Sequence, residues 1–170
     1  DWIGPLVTGD TWTVDDDGPA DFDTIQGAVD AASDGDEILV YPGTYIGPGD
    51  NVVDMMGKNV WLHSADGAAV TFIDGEGQRR GILCASEETS HIRIEGFTIQ
   101  NCEATWYDWN MNGTEEWGEW SGGGLGILSG SPIVRDCVFQ QNSARYGSGV
   151  YTYASSPNVS NCDFIDNYAV

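Results

Sequence analysis

Residues 108–119 carry the densest set of side chains capable of chemistry, and the chemistry they suit is cation binding. Asp108, Asn110 and Asn112 alternate along the chain, Gly113 follows, and Glu119 stands six positions after the glycine. That spacing satisfies the template of a calcium-binding loop, in which alternate oxygen side chains converge on one point and the glycine allows a sharp turn. The Thr114 carbonyl adds a ligand, Glu116 contributes directly or through water, and Glu119 closes the shell with both oxygens. Hard oxygen donors without His or Cys select Ca2+ over transition metals. Glu115 stands where such loops usually carry an apolar residue, and the two asparagines lower the ligand charge. A chance match in a chain rich in Asp, Asn and Gly is the competing reading.

Trp106, Tyr107, Trp109, Trp117 and Trp120 crowd the same stretch. Their faces either stack on sugar rings, forming a carbohydrate-binding patch, or pack the stretch against the body of the protein. Asn112-Gly-Thr and Asn158-Val-Ser are acceptor sequons for glycosylation, and the first overlaps a proposed metal ligand. Arg93, Arg135 and Arg145 are the cations available to a lyase-type reaction beside carboxylates, but Arg93 and Arg135, which share an outward register on successive coils, are more simply charge partners for neighbouring acids. No CxxC or Cys/His spacing points to zinc, and His63 and His91 lie beside strand-like runs as structural residues. Cys137 and Cys162 suit either a disulfide or a ladder of thiols; Cys84 and Cys102 pair only if their segments are adjacent.

A repeat must position these groups. Gly122, Gly124, Leu125, Ser131, Pro132, Val134, Cys137, Phe139, Asn142 and Ala144 recur 25 positions later as Gly147, Gly149, Val150, Ser156, Pro157, Val159, Cys162, Phe164, Asn167 and Ala169. Apolar residues alternate within each copy, which marks short strands, while glycines and Ser-Pro pairs punctuate them. One such unit cannot bury its inner face alone, whereas stacked units can, at ~4.8 Å per level. The architecture predicted is all-β, a right-handed parallel β-helix with Cys137 over Cys162, Phe139 over Phe164 and Asn142 over Asn167. Residues 91–101 match residues 131–141 at an offset of 40, which is one 25-residue coil plus an insertion of fifteen. The insertion lies between Glu103 and Ser121 and contains the calcium template; loops that project from such solenoids are where function usually sits.

With 27 acidic and six basic residues the formal charge is −21, which opposes binding to nucleic acid or to an anionic membrane. No apolar run approaches the ~20 residues of a membrane span. Acidity of this degree suits a saline or cation-rich exterior, and an opening Asp1 fits a processed export product or a fragment.

In chain order, residues 1–10 read as an extended arm before a single β-helix domain spanning 11–170. Thr11–Val14 is a strand, and Asp15–Pro19 a turn. A capping helix over about 22–33 follows, with Asp21 as N-cap and Phe22, Ile25, Ala28, Val29 and Ala32 at helical spacing. Such a helix shields the open edge of the first coil. Glu37–Tyr41 is a strand and Pro42–Tyr45 a tight turn; Asn51–Met56, Asn59–His63, Ala69–Ile73, Gly81–Ala85 and His91–Ile99 are further strands. The inserted loop occupies about 104–120.

The run DFDTIQGAVDAASDGDEILVYPGTY, Asp21 to Tyr45, resembles the opening of pectin methylesterases and related right-handed β-helix proteins. GGGL at Gly122, FQQN at Phe139 and FIDN at Phe164 resemble the repeats of chlamydial polymorphic outer-membrane proteins and of large secreted bacterial β-helix proteins. The resemblances imply the fold. The catalytic segments of the esterases (QDTL, GRPW) and of polygalacturonases (GHG, RIK) do not follow, so no catalytic residue is carried over. The expectation is a secreted or cell-surface structural or adhesive module with a calcium loop. It would associate end to end through its last coil, where the repeat stops, and build a filament; a carbohydrate-binding or polysaccharide-active protein of the lyase or esterase type is the alternative.

Overall fold

A computed structural model describes residues 9–86, 92–104 and 121–170. Strand β1 (Thr11–Val14) precedes helix α1 (Ile25–Ala31). The first coil is β2 (Glu37–Val40), β3 (Gly43–Tyr45) and β4 (Asn51–Asp54), and the second is β5 (Trp61–Ser64), β6 (Thr71–Asp74) and β7 (Arg80–Cys84). Next come β8 (Arg93–Glu95), β9 (Thr98–Gln100) and β10 (Leu125–Ile127). The fourth coil is β11 (Ile133–Arg135), β12 (Val138–Gln140), β13 (Ser143–Ala144) and β14 (Val150–Thr152), and the last is β15 (Asn158–Ser160), β16 (Asp163–Ile165) and β17 (Tyr168–Ala169). Like strands stack in register into sheets ordered β1-β2-β5-β8-β11-β15, β3-β6-β9-β12-β16 and β4-β7-β10-β14, with β13 beside β17. Every one of these pairings is parallel. The chain is a β-helix of about 5 turns.

Alternation decides what enters the core. In the first sheet Ile38, Leu62, Ile94, Val134 and Val159 lie one above another, and in the second Tyr45, Ile73, Ile99, Phe139 and Phe164 do so. The third contributes Val53, Ile82, Leu125 and Val150. Burying each Ile, Leu or Phe fully contributes ~1.5–3 kcal/mol, which one coil alone cannot realise. On the final coil Val159 and Phe164, which end the first two rows, are exposed, as are Tyr168 and Val170.

Sharp corners separate the strands, and several carry left-handed residues in equivalent places: Asp136 and Asn161, then Asn101, Gln141 and Asp166. Asn and Asp tolerate that conformation better than most residues. One asparagine position ties coils together. Asn142, fully buried, accepts from the Cys102 N–H at 3.0 Å and donates through Nδ2 to the Ile99 carbonyl at 2.9 Å. Asn167 repeats this one coil later, accepting from the Asn142 N–H at 3.1 Å and donating to the Phe139 carbonyl at 2.8 Å. Opposite, Gly81, Gly124 and Gly149 also stack. A Cβ on Gly124 would lie 2.6 Å from the Gly149 carbonyl oxygen and 2.9 Å from the Phe139 ring, and one on Gly149 would lie 2.9 Å from the Phe164 ring.

Four local expectations are corrected. The helix is shorter than 22–33, and Thr24 rather than Asp21 caps it, Thr24 Oγ1 accepting from the Gly27 N–H at 3.2 Å. Asp21 is engaged elsewhere, by the Thr13 N–H at 2.9 Å and the Thr13 hydroxyl at 2.7 Å, while Phe22 bridges Val14. Residues 43–45 form β3 rather than a turn, because they pair with β6 and turn Tyr45 inward. The run ending at Ile99 is two strands broken at Gly96, whose φ of +76° makes a corner. None of the four cysteines is in a disulfide: Cys84, Cys102 and Cys137 are buried, and Cys162 is half-buried.

Among the described residues no helix is long and apolar enough to cross a membrane.

Candidate functional site: the base of the inserted segment

The inward residues of the first sheet lie 24, 32, 40 and 25 positions apart along the sequence, at Ile38, Leu62, Ile94, Val134 and Val159. The coil of forty owes its length to one place. Glu103 bridges Ser143, an offset of 143 − 103 = 40, whereas Ser121 bridges Tyr146, an offset of 146 − 121 = 25. The difference of fifteen residues therefore enters between these two bridges, as the sequence repeat predicts.

Both ends of that segment are fastened. On the entering side the Glu103 N–H donates to the Arg79 carbonyl at 2.9 Å and the Ala104 N–H to the Ser143 carbonyl at 3.0 Å. On the returning side Gly122, with φ +70°, donates to the Tyr146 carbonyl at 3.0 Å. Arg80 secures the return from beneath. It is 2% exposed, with Nε and Nη2 donating to the Ser121 carbonyl at 3.1 and 3.0 Å and Nη1 to Asn51 Oδ1 at 3.0 Å. A guanidinium fork reads one carbonyl with two donors, which a lysine cannot do. Nearby, burial pushes the Asp54 carboxyl up, an effect that the Met56 N–H and the Arg80 charge only partly offset. The calcium candidates Asp108, Asn110, Asn112, Thr114, Glu116 and Glu119 lie outside the described residues, as do the aromatic candidates Trp106, Tyr107, Trp109, Trp117 and Trp120. What the fold shows is how the segment bearing them is rooted.

Elsewhere, polar side chains mostly tie one coil to the next. On the outer face of the first sheet Glu37 bonds His63 Nε2 at 2.8 Å and accepts from the Thr11 hydroxyl at 2.7 Å. The Trp61 indole stacks on the His63 ring at 3.8 Å and 12°. Arg135 lies level with Glu95 rather than with Arg93, donating through Nη2 to Oε2 at 2.9 Å, so the role of charge partner holds for it. On the second sheet Asp74 accepts from Gln100 at 2.8 Å and Asn101 at 2.9 Å, and Gln140 donates to Gln100 at 2.7 Å. Glu37, Trp61, Glu95 and Asp74 escaped sequence reading because the offsets that align them vary from coil to coil.

Asn158, the second sequon, is exposed on β15, its N–H bound to the Pro132 carbonyl at 3.0 Å and its side chain on the outer row above Ile133. Among the described residues one group of acids, Asp15, Asp16 and Asp17, brings ligand atoms within 4.8 Å of one another. Two of these already hold backbone amides, one within the turn and one on β3. Asp15 Oδ1 accepts from the Gly18 N–H at 3.1 Å, and Asp16 Oδ2 accepts from the Thr44 N–H at 3.0 Å. Comparison with protein-family models and with curated proteins finds no match to this chain.

Proposed function

We propose that this β-helix is a structural or adhesive module of the secreted or cell-surface kind, built to present the segment 105–120 as its binding element. The observation that carries this reading is the single register step of fifteen residues between Glu103 and Ser121, rooted on Arg80. Most outer polar groups described above are spent on neighbouring coils, which leaves the inserted segment as the place where ligand chemistry gathers. Asp108, Asn110, Asn112, Thr114, Glu116 and Glu119 would hold Ca2+ there, and the charge of −21 suits a cation-rich exterior. End-to-end association through the open rows of the last coil belongs to the same reading, and light scattering over a range of concentrations tests it.

A saccharide-binding role is the second reading. It is favoured by the Trp61–His63 stack, a half-buried aromatic pair bordered by Glu37 and Glu95 on the outer face of the first sheet. Replacing residues 105–120 with a short turn separates the two. The shortened chain should keep its strand content and urea midpoint while losing Ca2+ binding by calorimetry. A parent protein that gives neither heat nor thermal shift with Ca2+ would overturn the calcium assignment. Saccharide binding that survives the deletion would move the ligand site to the sheet face.

A further inference from the structure

We propose that Cys137 and Cys162 are a dithiol site that small-molecule disulfides oxidise to a disulfide, stapling the last coil to the one beneath it. The two residues sit at equivalent corners, following Asp136 and Asn161, which share the same left-handed conformation, with φ of +54° and +51°. Their thiols are placed alike. Cys137 Sγ lies 3.2 Å from the Arg135 carbonyl and 3.9 Å from the Ile94 carbonyl; Cys162 Sγ lies 3.2 Å from the Ser160 carbonyl and 3.9 Å from the Val134 carbonyl. The backbones are joined by the Asp163 N–H, which donates to the Cys137 carbonyl at 3.0 Å. Stacked strands stand ~4.8 Å apart, inside the 4.4–6.8 Å range of Cα separations that a disulfide spans. The thiols interact directly, and the hydrogen bond from Cys137 brings the Cys162 thiol down to about 7, while the same partner and burial hold Cys137 far above its ordinary value.

These environments divide the labour. Cys162, half-buried and carrying thiolate near neutral pH, attacks one sulfur of the reagent and releases one thiolate, leaving a mixed disulfide on Cys162. Cys137 then loses its proton and attacks Cys162 Sγ, expelling the second thiolate. One S–S bond breaks in the reagent and one forms in the protein. Two electrons pass to the reagent, and the two protons end on its thiols. Cys84 and Cys102 are buried on other coils and take no part.

The staple matters where it is placed, because the final coil exposes Phe164, Tyr168 and Val170 and has one neighbour instead of two among the described coils. Closing a loop of about 25 residues should suppress opening of that coil by about a hundredfold. The test treats the folded 170-residue chain with oxidised glutathione near neutral pH, followed by non-reducing peptide mapping and limited proteolysis. The expected result is a Cys137–Cys162 link and about hundredfold slower cleavage within residues 158–170. Cys137→Val should stop at a glutathione adduct on Cys162, and Cys162→Ser, altering only the half-buried partner, should give neither adduct nor link. A stable adduct on Cys162 of the unaltered protein, a link between other cysteines, or a linked protein cut as fast as the reduced one would overturn the proposal.

Discussion

The Phe139 ring lies parallel to the Phe164 ring, with centroids 5.1 Å apart and planes inclined by 10°. The lower ring is fully buried and the upper is 53% exposed, so one contact joins the core to the coil of β15–β17. Phe139→Ala should cost ~3–5 kcal/mol, the range for emptying an aromatic core site. Phe164→Ala should cost far less, about 1 kcal/mol. A double-mutant cycle by urea unfolding should return a coupling of ~0.5–1.5 kcal/mol. Strict additivity would deny the stack any energy of its own.

Asn142 offers a sharper case, since both ends of its amide are committed inside the barrel. Asn142→Ala leaves the Cys102 N–H without its partner, at ~1–3 kcal/mol for a group stranded in the core, and removes the side-chain donor to the Ile99 carbonyl. Asn142→Asp should be no rescue, because a carboxylate would face that carbonyl. Hydrogen exchange at Cys102 reports the first loss directly. Protection there unchanged by Asn142→Ala would contradict the ladder.

Arg80→Met should remove the fork on the Ser121 carbonyl and lower stability by ~2–3 kcal/mol. Arg80→Lys should recover only part of that, lacking two parallel donors. Exchange at Gly122 and Gly124 would speed in both variants if the return of the segment depends on this residue. A mutant with wild-type exchange at those amides would remove Arg80 from the site.

Acid stability should reflect Asp36. Burial alone would raise its carboxyl, but hydrogen bonds from the Ser33 N–H, the Trp12 indole and the Asp10 N–H, with the Lys58 charge, outweigh that and lower it. An acid lowered on folding contributes stability that is present above its unfolded value of ~3.9 and is lost as pH falls through the folded value. Asp36→Asn should therefore lower stability at neutral pH and flatten the decline below pH ~4. An unchanged acid limb in the variant would show that Asp36 does not drive it.

Cys162 should be alkylated with a half-maximal rate near the value of about 7 that its neighbour imposes. Cys137→Val should return the profile toward the ~8.5 of an ordinary thiol. Identical profiles in the two proteins would exclude the hydrogen bond as the cause.

Much of this architecture was legible because the last two coils are the same length. Val134, Cys137, Phe139 and Asn142 announce their partners by simple subtraction, and the match at forty places the insertion between Glu103 and Ser121. The earlier coils were harder, since offsets of 24 and 32 break the outward ladder formed by Leu39, His63 and Glu95 into residues with no apparent relation. Local propensity misled in two places. Asp21 is a fine N-cap by type, yet Thr13 claims its carboxylate; Pro42-Gly43 looks like a turn, yet pairing with β6 extends it. Arg80 was invisible as an anchor, because its target is a backbone carbonyl 41 residues away.

The glycine column at 81, 124 and 149 gives the interior an arithmetic of its own. Where one wall gives up a side chain, the opposite wall answers with bulk: Gly124 with Phe139, Gly149 with Phe164, and at the lower tier Gly81 with Ile99. In each pair the glycine lies in the third wall of one coil and its bulky partner in the second sheet of the next, so volume is balanced at the step between coils rather than across the barrel as a whole. A drifting glycine calls for a smaller neighbour on the coil that follows, and duplication or recombination of this chain conserves the balance only when it moves a glycine and its bulky partner together.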